Sequence, residues 1–322
     1  MTVDVERIDV ADLDTDLAGR LATIENAALA EVPLRRHTAE TFLLDCRDHG
    51  GEGPFRALWL ARTGGRPVGF AALHHNLYEN LDGAKVLGAV HPDHQRQGLG
   101  RTLVQEAEAA TDRPKLRVPT WRGTPGEAAV PRMGYTPHGS HEVRRLAVRN
   151  PQPAALLSAA AAADRDYDLE RFVGPCPETQ LGEMRLLREA INDAPEGGDF
   201  EEYPPDRLRR YEESIAAQAQ TPYTVVARHR ATGEAAGLTL VCVPELRPAI
   251  AAQEDTSVLR EHRGHRLGLR MKLEMLAWLR DERPDVESVD TWNAPGNAPM
   301  IAINEALGCR KVAEVVRFIK LR

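Results

Sequence analysis

The hydrophobic positions of the first half predict an alternation of strands and helices. Residues 2–9 alternate apolar and polar side chains, which is typical of a strand, and 14–30 has apolar side chains at helical spacing. Thr38 has the chemistry of an N-cap for the next helix. The later elements are a helix at 39–46, strands at 55–61 and 67–74 around Gly64 and Gly65, a strand at 84–90 followed by a helix, a strand at 115–120 and a short helix at 127–132.

The same order of elements returns in the second half. The predicted elements are a strand at 167–173, helices at 179–191 and 205–219, strands at 223–228, 236–242 and 251–259, a strand at 286–292 and a helix at 297–307. Between the halves, 150–165 is rich in alanine and proline, which indicates a helical linker. We therefore expect an α/β fold with two domains, 1–149 and 166–322, joined by the linker 150–165.

One stretch, from Ala84 to Glu106, combines a strand, a glycine-containing turn and a helix. Gly98 and Gly100 let the backbone approach a ligand closely, and free amides at a helix N-terminus favour a phosphate or pyrophosphate. The stretch lacks the GxxxxGK sequence of a P-loop and the third small residue of a dinucleotide-binding motif. The pattern therefore predicts an anion-binding turn of another class.

A second copy of this turn follows the strand at 251–259, which indicates that one domain has been duplicated. The distances from Gln95 to Arg263, from Thr120 to Thr291 and from Gly134 to Gly308 are 168, 171 and 174 residues. The offset between the copies thus changes only twice, by three residues each time, as two short insertions would produce.

Charge and hydropathy exclude two classes of partner. The formal net charge is −7 and the pI is about 5.9, whereas nucleic-acid surfaces cluster lysine and arginine, so we expect no nucleic-acid partner. The acidic balance instead suits a cationic or neutral small substrate. The longest run of small apolar residues, which begins at Ala154, is too short to cross a bilayer, so we expect no membrane partner.

The cysteines and histidines predict neither disulfides nor a metal site. Cys46, Cys176, Cys242 and Cys309 lack the spacing of a disulfide framework or of a zinc site, and no apolar segment follows Met1. This pattern indicates a reducing, cytoplasmic location. His91 and His94 are spaced like metal ligands, but no third ligand is evident, so we expect no metal.

The residues Gln95-x-x-Gly98-x-Gly100 resemble the pyrophosphate-binding motif of the GCN5-related N-acetyltransferases (GNAT). The stretch INDAPEGGD and the stretches HRGHRLG and TWNAPGNAPMIAINEALG resemble tandem actinobacterial members, with a layout similar to that of mycothiol synthase. The resemblance implies two GNAT-like domains, each a mixed, mostly antiparallel sheet flanked by helices. It also implies acetyl-CoA as co-substrate, a small-molecule amine as acceptor, and a monomer or homodimer.

The resemblance assigns cofactor-binding roles to both loops and to two asparagines. The implied residues are Val90, Gln95, Arg96, Gln97, Gly98, Leu99, Gly100 and Arg101 in the first copy, and Val258, Arg263, Gly264, His265, Arg266, Leu267, Gly268, Asn293 and Asn297 in the second. Arg266 stands where the first glycine is expected, so its side chain either clamps a phosphate or blocks the loop. Turn chemistry is an alternative explanation for Asn293 and Asn297.

The candidate base lies in the second copy. In the family a base often stands nine or eleven residues before the loop, which here gives Glu254 and Ala252, but Val86 and Ala84 in the first copy. Strand alternation predicts that Asp255, the neighbouring candidate, faces the opposite side from Glu254. The alternative is that both acids form an exposed strand end. On this count only the second copy has a titratable group.

The group that protonates the departing thiolate stays open. The family often places a tyrosine four residues before the glycine of a later Leu-Gly-Phe-like motif, which is Gly308 here and Gly134 in the first copy. This chain has Asn304 and Val130 at those positions. Water, Tyr203, Tyr211 or Tyr223 are the alternatives. Two functions follow: an N-acetyltransferase with a catalytic C-terminal copy and a cofactor-binding or structural N-terminal copy, or a non-catalytic acyl-CoA-binding regulatory protein.

Overall fold

The structure, a computed structural model, describes residues 4–34, 36–49, 53–78, 80–161, 166–193 and 202–322. It divides into two compact units. Unit 1 comprises Met1–His141 together with Ala313–Arg322, and unit 2 comprises Glu142–Val312. Among the helices of the described ranges, none is long and apolar enough to cross a membrane.

The helices and strands follow the predicted order along the chain. The elements of the first half are β1 (Asp4–Ile8), α1 (Thr15–Ala28), α2 (Ala39–Arg47), β2 (Ala57–Thr63), β3 (Arg66–His75), β4 (Gly83–Val90), α3 (Leu99–Ala109), β5 (Lys115–Trp121), α4 (Pro125–Ala129) and β6 (Thr136–Ala147). Those of the second half are α5 (Ala154–Ala161), β7 (Tyr167–Val173), α6 (Leu181–Glu189), α7 (Pro205–Ala217), β8 (Gln220–His229), β9 (Ala235–Pro244), β10 (Ile250–Val258), α8 (Leu267–Glu282), β11 (Ser288–Asn293), α9 (Ala298–Ala306) and β12 (Arg310–Leu321).

Local sequence signals explain several of these boundaries. The Asp14 side chain accepts a hydrogen bond from Leu17 N at 2.8 Å and caps α1. Thr38 and Thr41 form a capping box at the start of α2. Gly64 and Gly65, with φ of +57° and +78°, make the tight turn between β2 and β3. The predicted hairpin and N-cap are thereby confirmed.

Each unit contains a mixed, mostly antiparallel sheet, as the family resemblance implies. The strand order is β1-β2-β3-β4-β5-β12 in unit 1 and β6-β11-β10-β9-β8-β7 in unit 2. In the described ladders the parallel pairs are β4 with β5 and β10 with β11. Since parallel neighbours need a crossover connection, α3 and α8 each cross from one strand of the pair to the other.

Helices cover both faces of each sheet and enclose separate cores. In unit 1, α1 and α2 pack on one face around Leu21, Phe42 and Phe70, and α3 packs on the other through Leu103. In unit 2, α6 and α7 cover one face, and α5 and α8 cover the other, with Met271 in that second core. A residue of a central strand therefore faces one of two distinct helix layers.

The last strand of each half departs from the predicted domain ranges of 1–149 and 166–322. Residues 142–147 of β6 pair with β11 in unit 2, whereas Val315–Leu321 of β12 pair with β5 in unit 1. Alternation of apolar side chains predicts a strand but not the strand beside it. Of the predicted linker, α5 is helical, and residues 162–165 lie outside the described residues.

We predict that truncating Phe318 on β12 destabilises unit 1, although the residue lies near the C-terminal end. Its side chain is 3% exposed in the core beneath α3, and such a change to alanine costs about 3–5 kcal/mol. Hydrogen exchange should therefore accelerate from β2 to β5 in Phe318→Ala. Leu321→Ala is the control, because Leu321 is 70% exposed. Equal protection in both variants would contradict the place of β12 in unit 1.

Candidate active site

In each unit the two parallel strands diverge before they end. Lys85 and Arg117 are the last paired residues of β4 and β5, although both strands continue. Gln253 and Thr291 are the last paired residues of β10 and β11. Beyond these pairs, the facing strand edges present backbone N–H and C=O groups that the neighbouring parallel strand does not bond. We call these openings the fork of unit 1 and the fork of unit 2; each can accept an extended ligand.

The loop that follows each fork contains two residues with left-handed backbone. The φ angles are +62° at Arg96 and +85° at Gly98 in unit 1, and +83° at Gly264 and +59° at Arg266 in unit 2. Each loop thus has one glycine and one arginine at these positions, in opposite order. An arginine there costs about 1 kcal/mol or more, whereas glycine adopts the region freely. Arg266 adopts the left-handed conformation that the turn requires, and its side chain is exposed.

The first side chain of each loop makes the same contact in both copies. Gln95 Nε2 donates to Val90 O at 2.9 Å, and Arg263 Nε donates to Val258 O at 3.0 Å. Each bond ties the loop to the last residue of the strand before it. The duplicated loops therefore agree in geometry despite their different side chains.

The helices after the loops begin with free amides. Gly98 and Arg266 are the N-cap residues of α3 and α8, and no side chain of the described residues caps either helix. The first helical bonds run from Thr102 N to Gly98 O and from Arg270 N to Arg266 O, both at 3.1 Å. The amides before these have no intrahelical acceptor and lie at the positive end of the helix dipole. Both loops therefore fit a phosphate or pyrophosphate.

The arginines of the two loops differ in their partners. Arg96 and Arg101 are exposed, and no carboxylate of the described ranges pairs with either of them. In unit 2, Asp193 pairs with Arg263 at 2.8 Å and with Arg260 at 3.0 Å. The hydrogen bond from Arg260 holds the pKa of Asp193 below its usual range, so Asp193 stays anionic. The loop of unit 1 consequently offers more uncompensated positive charge to an anion.

The other predicted loop residues have distinct places. Leu99 and Leu267 are buried and anchor the helix starts in the core, whereas Gln97 and His265 are exposed. A Cβ on Gly100 would lie 3.9 Å from Val90, and Gly98 faces open space. The described part of the chain contains no group of three or more His, Cys, Asp or Glu that could hold a metal ion.

Polar side chains fill the fork of unit 2 on the side of α8. Lys272 Nζ lies 3.1 Å from Gln253 Oε1, and burial lowers the pKa of Lys272 to about 8. The buried Asn304 donates from Nδ2 to Asn293 Oδ1 at 3.0 Å, and its Oδ1 has no hydrogen-bond partner among the described residues. Lys272, Gln253 and Asn304 line a cavity of about 20 Å³, room for one water molecule. Asn304 Oδ1 is thus an orphaned acceptor suited to a ligand N–H.

A β-bulge at Glu254 corrects the predicted orientation of the candidate acids. Gln253 pairs with Val241 and Asp255 pairs with Leu240, so Glu254 is the extra residue. Gln253 Nε2 holds the bulge through Leu240 O and Asp255 O, both at 2.7 Å. The bulge resets the alternation, so that Glu254 contacts Tyr211 of α7 and Asp255 contacts Arg188 of α6, on the same face of the sheet. The prediction that they face opposite sides is wrong for this reason.

The two acids nevertheless have different surroundings. Glu254 is exposed, and Tyr211 Oη on α7 donates to its Oε2 at 3.3 Å. Asp255 is buried, with its Oδ2 3.6 Å from Arg188 Nη1 on α6. Burial opposes the charge of Arg188, but Tyr203, Tyr211 and Asp255 hold its pKa above the ordinary value. Asp255 therefore belongs to a buried ion pair, and a substitution there cannot serve as a control for one at Glu254.

The bulge also changes which residue of the first copy corresponds to Glu254. The pairs Gly69–Val90 and Gly237–Val258 align β4 with β10, so Leu87 corresponds to Asp255. Since β4 has no bulge in its described ladder, Glu254 has no counterpart there. The match with Val86, obtained by counting along the sequence, is wrong.

Asn297 is the N-cap of α9. Its side chain accepts from Met300 N at 3.4 Å, which is the contact that turn chemistry predicts. Asn293 instead lies in the fork, where its side chain accepts from Asn304.

Sequence reasoning missed Arg188, which α6 brings to Asp255, and it named Tyr211 of α7 only as an alternative proton donor to the thiolate. Arg188 stands four residues after Met184 and seven after Leu181 on the apolar stripe of α6. An arginine within an apolar stripe is a signal of a buried cation, and this signal could have identified it. Tyr203 and Tyr211 surround its guanidinium, with ring centroids 4.8 and 4.7 Å from Arg188 Cζ.

Comparisons with known proteins agree with this geometry. The acetyltransferase (GNAT) domain family matches residues 54–137. A mycothiol acetyltransferase of Nocardiopsis dassonvillei is 35% identical over 129 residues, which span 39% of this chain and only 37% of that relative. A tandem GNAT protein from the clavulanic acid biosynthesis pathway superposes with a TM-score of 0.80 at 25% identity, covering 99% of this chain and 98% of the other. A GCN5-related N-acetyltransferase from Sphaerobacter thermophilus shares the fold, with a TM-score of 0.70, 18% identity and coverage of 99% and 95%.

We predict that Arg266→Gly stabilises the protein by roughly 0.5–1 kcal/mol, because it relieves left-handed strain at φ +59°. Arg101→Gly is the matched change inside α3, and there glycine should destabilise by about 1 kcal/mol. Denaturant unfolding of both variants measures the difference. Destabilisation by both changes would mean that the Arg266 side chain contributes more than its backbone costs.

Proposed function

We propose that this chain, which is a tandem member of the GNAT superfamily of the actinobacterial type, transfers an acetyl group from acetyl-CoA to a small-molecule amine. The observation that carries the proposal is the pairing of a fork with a phosphate-binding loop, present in both units. A fork presents free backbone groups to an extended arm, and the loop presents free amides to a diphosphate at its end. The four cysteines are buried and form no disulfide, which supports a cytoplasmic location.

Residues of both units would hold the cofactor. In unit 1, the amides that follow Gln95 would bind the pyrophosphate, and Arg96 and Arg101 add charge. In unit 2, Asn304 Oδ1 would accept a hydrogen bond from the pantetheine arm, since it is the buried acceptor without a partner in the described residues. Acetyl-CoA, when bound, supplies an activated thioester. These assignments use the uncapped amides at the start of α3 and the Asn304 Oδ1 acceptor, which has no hydrogen-bond partner among the described residues.

Glu254 is our candidate for the general base, and we place catalysis in unit 2. Its carboxylate is exposed at the bulge beside the fork, so an ammonium group can reach it from solvent. Tyr211 donates to it and fixes one of its oxygens. Burial, with Glu254 adding to it, raises the pKa of Tyr211 well above the ordinary value, so Tyr211 stays a donor. The amine would then attack in its neutral form.

A second candidate function is binding of acyl-CoA without turnover. The cavity in the fork of unit 2, about 20 Å³, favours it, because Lys272 and Gln253 occupy the room that an arm would need. Neither Asn304 nor Val130 can protonate a thiolate. Release of free thiol from acetyl-CoA over a panel of amines, followed with a thiol dye, separates the two functions.

We predict that coenzyme A and acetyl-CoA raise the melting temperature, as any ligand of the native state does. Gly98→Val should remove most of the shift that unit 1 contributes, because φ is +85° there and a branched side chain would distort the loop. Gly64→Val is the matched control: its φ of +57° also disfavours a side chain, and it too faces open space, but in the β2–β3 turn. Equal loss of ligand binding in both variants would contradict the phosphate site.

We predict that Glu254→Gln lowers kcat by about 10²–10⁴-fold, or about 3–5 kcal/mol of barrier, while KM changes little. The defect should shrink at high pH, where the amine arrives deprotonated. Glu261→Gln, at an exposed acid in the turn after β10, is the control. Asp255→Asn should instead lower stability, because it leaves Arg188 buried with a weakened partner. A near-normal kcat in Glu254→Gln would place the base elsewhere.

A further inference from the structure

A second cluster of titratable side chains lies in unit 1, on the face of the sheet that α1 and α2 cover. Its members come from five places in the chain: Glu25 on α1, His37 before α2, Asp45 on α2 with His49 after it, His74 on β3 and Lys85 on β4. The search for a base nine or eleven residues before the loop covers only β4. It could not identify this cluster, because four of its six members come from α1, α2 and the segments that flank α2.

Short contacts connect the members of this cluster. Asp45 Oδ1 lies 3.0 Å from His49 Nδ1, and the ring centroids of His49 and His74 are 5.2 Å apart. Glu25 Oε2 lies 3.8 Å from His37 Nε2. A carboxylate that orients an imidazole, beside a second carboxylate, is an arrangement that can accept and relay protons.

The cluster lies at the base of the fork of unit 1. Lys85 is the last residue of β4 that pairs with β5. On its other side, Lys85 pairs with His74 of β3. Phe70 and Ala72 pack against α1 and α2, so alternation puts His74 on that same face of the sheet. Glu254 likewise lies beside the fork of unit 2, on the face covered by α6 and α7.

The carboxylates of the cluster differ in their protonation. Burial, together with the charge of Asp45, raises the pKa of Glu25 to about 7. Burial also acts to raise the pKa of Asp45, but His49, His37 and Lys85 outweigh it and lower that pKa. Asp45 therefore stays anionic while Glu25 exchanges a proton near neutral pH. Glu25 keeps 27% of its side chain exposed and His37 keeps 35%, so a small amine can reach this edge of the otherwise buried cluster.

We propose that unit 1 carries a second acyl-transfer site, in which Glu25 is the general base for a small primary amine. The proposal rests on the proposed function, because it uses the same acetyl donor bound at the loop of unit 1. The two carboxylates of Glu25 and Asp45 favour an acceptor that arrives as an ammonium ion.

The proposed step balances without a further reactant. The Glu25 carboxylate takes one proton from the ammonium, and the nitrogen lone pair forms the C–N bond to the acetyl carbon. The C–S bond breaks, its electron pair leaves with sulfur, and the second amine proton goes through water to the thiolate. Glu25 then releases its proton to solvent. The products are the amide, the free thiol and one proton.

The test uses the full chain in the Glu254→Gln background, where the candidate site of unit 2 is disabled. Thiol release should persist with at least one primary amine and should rise with pH through about 7. Adding Glu25→Gln should lower it at least about 100-fold and remove that rising limb. Glu31→Gln, an exposed acid just after α1, is the matched control and should leave the rate unchanged.

The outcomes separate this proposal from the proposed function. If Glu254→Gln abolishes thiol release with every amine that the wild type uses, the second site is overturned and the proposed function stands. If Glu25→Gln alone abolishes all turnover, the second site stands and the assignment of catalysis to unit 2 fails. If the wild type binds coenzyme A but acetylates no amine, both catalytic assignments are overturned.

A measurement without ligand tests the base directly. The pKa of Glu25 lies above its unfolded value, so the wild type should lose stability relative to Glu25→Gln as the pH rises from about 4.5 to about 7. Above that range the difference in melting temperature should stay constant. His37, Asp45 and Cys46 are the titratable groups that interact with Glu25. His49 and Lys85 act on Asp45, and His74 lies beside His49. All of these groups remain in both variants. If the difference in melting temperature between the two proteins does not change with pH across this range, Glu25 ionises normally and its role is overturned.

Discussion

The divergence of two parallel strands is the constraint on which the rest of each unit depends. Paired strands satisfy their own backbone groups, so a sheet that stayed closed would have nothing to offer a ligand there. Once β4 leaves β5, and β10 leaves β11, the backbone edges are free. The crossover helix starts beside that opening, and its first amides are free as well. Fork and loop thus form one site, because a single chain segment makes both.

The duplicated loops show which features this geometry requires. Two left-handed residues are kept in both copies, but glycine and arginine exchange places between them. The conformation of the backbone turn is therefore the same in both copies. Each copy has one arginine in the strained left-handed region, at a different position. The two loops differ in their surroundings: Asp193 pairs with arginines beside the loop of unit 2, whereas no carboxylate of the described residues pairs with Arg96 or Arg101 in unit 1.

In both units the candidate acid groups meet the helices that cover one face of the sheet. In unit 2, Arg188 of α6 holds Asp255 and Tyr211 of α7 holds Glu254, and the bulge turns both acids toward these helices. In unit 1 no bulge is needed, since Glu25 and Asp45 already lie on α1 and α2. The two copies therefore place acid groups beside their forks by different routes, which is what independent change after duplication would produce.

The sequence by itself determined the elements, the duplication and both loops, because periodicity, caps and glycine turns act within a few residues of one another. It predicted the order of strands and helices and the turn at Gly98, and its family resemblance implied the mixed sheets. Only the tertiary structure decided the partner of β12, the bulge at Glu254, and the meeting of Glu25 with Asp45. These depend on contacts between residues far apart in the chain, and alternation along one strand carries no information about its neighbour or about an inserted residue.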